Sequence, residues 1–185
     1  MIVTAIPYWE SDPGKRGVLS RCLSSIKGQQ DDILVLAGKQ KTLPTAWNMC
    51  LDMSFGMGAD FVILSNDDIE LTGGDFKDLC VPGEVVSPLV NGEVYKVFHA
   101  HIFALPRDVW KKVGAFDENF QVYWADTDYA VRLKKAGVPV YINETVNVLH
   151  PEPARTLKHE SKITRDEEYF VEKWGRTYFD PAGEL

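Results

Sequence analysis

Phe61-Val62-Ile63-Leu64-Ser65-Asn66-Asp67-Asp68 passes from an unbroken apolar run to two adjacent carboxylates within eight residues. A short apolar run bounded by turn residues reads as a buried strand. The Asn-Asp-Asp behind it reads as the turn at that strand's carboxyl end, because Asn and Asp side chains bond their own backbone there. The same oxygens also suit a hard divalent cation, Mg2+ or Mn2+, of the kind that bridges phosphates. On this stretch alone both readings stand.

Working outward, Ile2–Ile6 reads as another short buried strand, stopped by Pro7. Gly17–Lys27 carries Val18, Cys22, Leu23 and Ile26 at the spacing of one helical face, with Gly28 as its stop. Ile33–Leu36 is a second strand, and Thr45–Phe55 a second helix with Trp47, Cys50 and Leu51 on one side. Gly56-Met57-Gly58 breaks that helix before Phe61–Leu64. Strand, helix, strand, helix, strand is the pattern of an α/β fold with a parallel sheet. Ligands of such sheets bind beyond the carboxyl ends of the strands. That edge is where Asn66-Asp67-Asp68 and Pro7-Tyr8-Trp9 fall.

The second half has a different texture. Val85–Val90 and Val94–Ala104 read as strands, Pro106–Val113 as a short helix, and Phe116–Phe120 as a loop. Ala125–Ala136 is a helix closed by Gly137, and Val138–Ile142 and Val146–Leu149 are extended. Glu160–Trp174 reads as a last helix, apolar at Ile163, Phe170, Val171 and Trp174, a stripe expected to finish the core. No repeat, low-complexity tract or linker divides the 185 residues, which suit one domain.

Composition narrows the function classes. Twenty basic against 27 acidic residues give a formal charge of −7, which disfavours an extended nucleic-acid or anionic-membrane footprint. Cys22, Cys50 and Cys80 have no CxxC spacing and an odd count, as expected of small buried thiols in a reducing compartment. Met1 leads almost directly into the first strand, leaving no room for a signal peptide, and no apolar run has the ~20 residues of a membrane span. The expected location is cytoplasmic, at most peripheral to a membrane. The sequon Asn143-Glu144-Thr145 is therefore expected to be unused.

Further groups could carry chemistry. Asp126 and Asp128 open the helix in WADTDYAVRLKKAG, and Arg132, Lys134 and Lys135 close it, the charge order that complements a helix dipole. Two carboxylates beside Tyr123 and Trp124 also suit a general base in a partly desolvated cleft. Arg132 stands four residues after Asp128, within reach of it. His150 ends the last strand-like run; a lone histidine is an ordinary core residue, but neutral imidazole also binds Mn2+-like ions. His99 and His101, two apart in VFHAHIFAL, should share one strand face and wall a polar cleft. No P-loop, dinucleotide-binding glycine pattern, HExxH or GxSxG is present.

The order of these pieces resembles a known family. A strand ending in Pro-Tyr, the helix GVLSRCLSSI, the Asn-bearing helix LPTAWNMCLD and an apolar strand into Asn66-Asp67-Asp68 come first. VGAFDENF, then ADTDYAVRLKKAGV, then a strand ending in histidine follow. Over roughly residues 1–155 this resembles the family-2-like glycosyltransferases of the GT-A fold. The resemblance implies a single α/β, Rossmann-like domain with a mostly parallel central sheet flanked by helices and a small antiparallel part in the second half. Residues 1–98 would form the nucleotide-sugar half, 99–155 the acceptor and catalytic half, and 156–185 a C-terminal helical tail.

It further implies transfer of a sugar from a nucleotide-diphosphate donor to an acceptor hydroxyl, with inversion, and a bound Mn2+ or Mg2+. Asp68 and His150 would ligate the ion, while Asn66 and Asp67 lie near the donor in an N-x-D form of the family's DxD-type motif. Asp126 would be the catalytic base, supported by Asp128. Thr4, Pro7, Tyr8 and Asn48 would face the donor, and His101 and Trp124 the acceptor, be it a glycan, a lipid-linked sugar or a protein; a homo-oligomer is compatible with this. The sequence departs from the family where the second strand ends in LAGKQK rather than an aspartate motif, which leaves Lys39 or Lys41 to contact phosphate or base. Ala125 also stands where an acid commonly precedes the base. The donor is expected to be UDP- or dTDP-like. A sugar-phosphate nucleotidyltransferase and a non-catalytic nucleotide-binding module of the same fold are the alternatives.

Overall fold

The computed structural model describes residues 1–8, 15–94, 98–150 and 160–175. Its elements run β1 (Ile2–Tyr8), α1 (Lys15–Ser25), β2 (Asp32–Ala37), α2 (Leu43–Gly56), β3 (Phe61–Ser65), β4 (Glu70–Gly73), a 3-10 turn (Phe76–Leu79) and β5 (Val85–Val90). They continue with β6 (Ile102–Pro106), α3 (Arg107–Val113), α4 (Ala125–Lys135), β7 (Val140–Leu149) and α5 (Glu160–Trp174). The seven strands form one sheet in the order β2-β1-β3-β6-β5-β7-β4.

The α/β expectation holds, with helices flanking a mixed sheet. β1 is parallel to β2 and β3, and β5 to β7, while β3–β6, β5–β6 and β4–β7 are antiparallel. Strand alternation sorts the apolar residues onto two faces. Val62, Leu64, Phe103 and Leu105 meet Trp47, Cys50 and Leu51 of α2, Tyr129 and Leu133 of α4 and Phe170 of α5. Ile63, Ile102 and Ala104 meet Cys22 of α1, Ile26 just after it, and Phe76 and Leu79 of the 3-10 turn. The central strands are covered on both sides, which is why they read as continuous apolar runs.

Local chemistry explains the helix starts. The Thr42 hydroxyl accepts the Thr45 N–H at 3.1 Å, and Pro44 stands in the first turn of α2, where it lacks no partner. α4 carries Asp126 and Asp128 in its first turn and Arg132, Lys134 and Lys135 in its last.

The structure corrects several sequence expectations. β1 continues through Pro7 to Tyr8, because the loss of one N–H is tolerated where the ladder is ending. β6 begins only at Ile102, so His99 and His101 precede the strand rather than lie in it. The two extended segments after α4 are one strand, β7, whose pairing to β5 jumps from Asn143 to Asn147. β4 and the 3-10 turn were not anticipated; β4 has four residues and none of them buried.

β4 lies so close to β7 that no side chain fits at its end. Gly74 has φ +81°, and a Cβ there would stand 2.5 Å from the Thr145 carbonyl oxygen and 2.8 Å from Val146 Cα. Gly74→Ala should destabilise the fold by roughly 2–4 kcal/mol, combining left-handed strain with a backbone clash. Urea unfolding of the variant checks this; an unchanged midpoint and slope would contradict the close packing.

Candidate active site

β4 places the first functional pair. It runs antiparallel to β7 with Glu70 opposite Leu149 and Leu71 opposite Val148, so the residues just before Glu70 meet those just after Leu149. Asp68 Oδ1 consequently lies 3.1 Å from His150 Nε2, and both side chains are buried. Asn91, in a left-handed turn conformation after β5, fixes the histidine backbone: its Oδ1 accepts the His150 N–H at 2.8 Å. Asp67 is half-buried whereas Asp68 is buried, so the two adjacent carboxylates occupy different environments. The Asx-turn reading and the carboxylate-site reading are therefore compatible.

The imidazoles extend this pair across the cleft. The His150 and His101 rings are 4.5 Å apart, and the His101 and His99 rings stack at 5.5 Å. His99 Nδ1 in turn lies 4.0 Å from Asp126 Oδ2. Burial, reinforced by the His150 and His99 imidazoles, pushes His101 down to about 4, so it is neutral near pH 7. A continuous line of side chains thus joins Asp68 to Asp126. His99 and His101 are not in a strand, and their stacked rings stand between Asp126 and His150.

Asp126 and Asp128 have different fates. The Asp126 side chain retains 27% exposure and faces the cleft through His99. Asp128 is fully buried and receives Arg132 Nε at 3.0 Å, Trp174 Nε1 at 2.8 Å and Lys173 Nζ at 2.7 Å. Its carboxylate is thus occupied by three donors from α4 and α5. Arg132 makes the expected i,i+4 pair, and the same guanidinium reaches the Val113 carbonyl at 3.2 Å.

The donor-side expectations divide similarly. Pro7 and Tyr8 end β1, Lys39 follows β2 exposed to solvent, and Asn66 and Asp67 follow β3, all on the carboxyl edge of the sheet. Thr4 is fully buried in mid-strand, paired with Ile33 and Ile63, four residues before the edge. Asn48 is buried as well. Its amide donates to the Phe116 carbonyl and Glu118 and accepts the Phe116 N–H, tying the Phe116–Phe120 loop to α2. Trp124 adopts φ 63° and ψ −6° immediately before α4, and its ring packs 5.2 Å from Phe170.

Several contributors carried no recognisable sequence signal. Lys173 bridges Asp128 and Asp117, and Trp174 joins them from the same helix. Asn91-Gly92 could have been read as a turn, but its grip on His150 spans 59 residues. A groove of about 530 Å³ runs from His99 along Phe98, Val90, Lys134 and Tyr141. Among the described residues no group of three or more His, Cys, Asp or Glu side chains converges as a metal cage. Nor is any described helix long and apolar enough to cross a membrane.

The ion-pair network gives a test at acid pH. Burial raises the Asp117 carboxyl, but the bonds from Lys173, Asn119 and Tyr169 outweigh it and hold the group at about 2 against an ordinary 3.8. A depressed folded-state value adds stability that is present above about pH 4 and lost as pH falls toward 2. Asp117→Asn should therefore unfold with a shallower dependence on pH between 4 and 2 than wild type, measured by thermal melts. Identical slopes would contradict the network.

No protein family and no curated protein matches the chain by sequence. Solved structures do match in fold. The mannosyltransferase PcManGT from Pyrobaculum calidifontis, in complex with GDP-Man and Mn2+, aligns with a TM-score of 0.57 at 14% identity, over 84% of this chain and 58% of that one. S. aureus TarS aligns with a TM-score of 0.58 at 11% identity, over 83% of this chain and 37% of that one. A putative nucleotide-diphospho-sugar transferase from Desulfovibrio desulfuricans aligns with a TM-score of 0.53 at 11% identity, over 97% and 99% of the two chains. At these identities the likeness establishes the fold alone: this chain shares its single-domain α/β architecture with these solved structures.

Proposed function

We propose that this protein is a metal-dependent glycosyltransferase that moves a sugar from a UDP- or dTDP-like donor to an acceptor hydroxyl with inversion. The observation that carries the reading is the line of side chains from the buried Asp68–His150 pair to the cleft-facing carboxylate of Asp126. A carboxylate oxygen is a hard donor suited to Mn2+ or Mg2+, and an imidazole nitrogen also binds Mn2+-like ions. Asp68 and His150, 3.1 Å apart, are the two side chains that would hold the ion. When bound, such an ion stabilises the charge that develops on the departing diphosphate.

The remaining work falls to the chain itself. Pro7, Tyr8, Lys39, Asn66 and Asp67 frame the sheet edge on which the nucleotide would lie. Asp126 takes the proton of the acceptor hydroxyl as that oxygen bonds to the anomeric carbon. The bond from that carbon to the diphosphate breaks, and its electron pair leaves with the nucleotide. Attack from the face opposite the leaving group gives inversion. The groove beside His99, with His101 and Trp124 nearby, is the acceptor side. Residues 1–98 would thus serve the donor and residues 99–155 the acceptor. The free cysteines, all raised to about 12 mainly by burial and so unreactive, support a place in a reducing compartment such as the cytoplasm.

Mn2+-stimulated hydrolysis or transfer from UDP- and dTDP-sugars tests this reading. Asp126→Ala should lower turnover by ~10²–10⁴-fold, the contribution of a positioned base. Asp68→Ala should abolish the response to Mn2+. Full activity in both variants would overturn the assignment, and pyrophosphate release from a nucleoside triphosphate would transfer it to the nucleotidyltransferases.

A further inference from the structure

We infer that Asp166 of α5 is a positioning residue for the base, acting through the backbone that leads into Asp126. This rests on the reading of Asp126 as the group that takes the acceptor proton. Asp166 is fully buried, and its carboxylate collects three consecutive backbone donors: the Gln121 N–H at 3.0 Å, the Val122 N–H at 2.9 Å and the Tyr123 N–H at 2.9 Å. The Gln121 N–H lies equally close to both carboxylate oxygens. A buried charge requires such donors, and three N–H groups converging on one point leave their backbone little freedom.

That backbone is strained at the next residue. Trp124 occupies the left-handed region, which a bulky side chain enters only when its surroundings impose it. Asp166 fixes the chain before it. The first bond of α4, from the Asp128 N–H to the Trp124 carbonyl at 2.8 Å, fixes the chain after it. The ring is held from the side by Phe170, and Asp128 is held by Lys173 and Trp174. Residues 166, 170, 173 and 174 recur at helical spacing, so one face of α5 grips both sides of the Trp124-Ala125-Asp126 step. The helix is therefore more than core filling: it sets the direction in which Asp126 faces the cleft.

Asp166→Asn keeps the shape but removes the charge and one acceptor oxygen. Mn2+-dependent turnover of a UDP- or dTDP-sugar by the full chain should lose about 10- to 100-fold in kcat, as expected for misplacing a catalytic group by about an ångström. KM for the donor and calorimetric affinity for UDP with Mn2+ should stay within about twofold, because the binding edge is untouched. Deuterium uptake in peptides covering residues 121–125 should rise while uptake in the β-sheet is unchanged. Asp166→Glu, which retains the carboxylate, provides a second variant and should fall between wild type and Asp166→Asn in both kcat and uptake. Unchanged kcat, unchanged uptake at 121–125, or a loss shared equally by kcat and UDP affinity would overturn the inference alone. Absence of turnover by the wild-type protein with any nucleotide sugar would overturn the underlying reading, and this inference with it.

Discussion

The antiparallel ladder between β4 and β7 is the constraint on which the site depends. One register step decides whether Asp68 reaches His150, because a slip of a single residue would turn every side chain of β4 to the opposite face. Two features defend that register. Gly74 lets the chain pass against Thr145 where a Cβ would collide, and Asn91 holds the His150 backbone from the neighbouring turn. The edge strand is short and half exposed, so its precision comes from backbone fit rather than from buried area.

A second constraint acts across the cleft. Asp126 is not held by its own helix alone; it stands on a segment pinned by α2, α4 and α5. Leu43 of α2 bonds the Gln121 carbonyl at 2.9 Å, and Asp166 of α5 takes the following amides. The two aspartates at the start of α4 are similar in sequence and opposite in environment. One is sealed among cationic and indole donors, while the other keeps contact with the cleft.

Much of the fold could be read from residue pattern. β1, β2 and β3 are short apolar runs punctuated by turn residues, and α2 announces itself through Thr42, Pro44 and its apolar face. β4 could not be read, because Glu-Leu-Thr-Gly has neither alternation nor length. The start of β6 was placed too early because VFHAHIFAL is apolar apart from its histidines, and hydropathy does not mark where pairing begins. Asp68, Asp126 and His150 stand out in the sequence by their order, and the fold lines them up through His101 and His99. Thr4 and Asn48 enter through the family resemblance alone; in the fold both are buried, and Asn48 clasps the Phe116 backbone. Asp166 was hidden in Thr-Arg-Asp-Glu-Glu, where one buried acid looks like its solvated neighbours.

The long sequence separations of these clasps bear on how the molecule folds. Asp166 meets Gln121 across 45 residues, Trp174 meets Asp128 across 46, and Asn91 meets His150 across 59. Each contact closes a large loop before it returns any stabilisation, an entropic cost that delays distant pairings relative to local ones. The β1–α1–β2–α2–β3 half can consolidate through near neighbours. The Gln121–Asp128 side of the cleft gains its clasps only when α5 docks, whereas the Asp68–His150 side is set by the sheet alone.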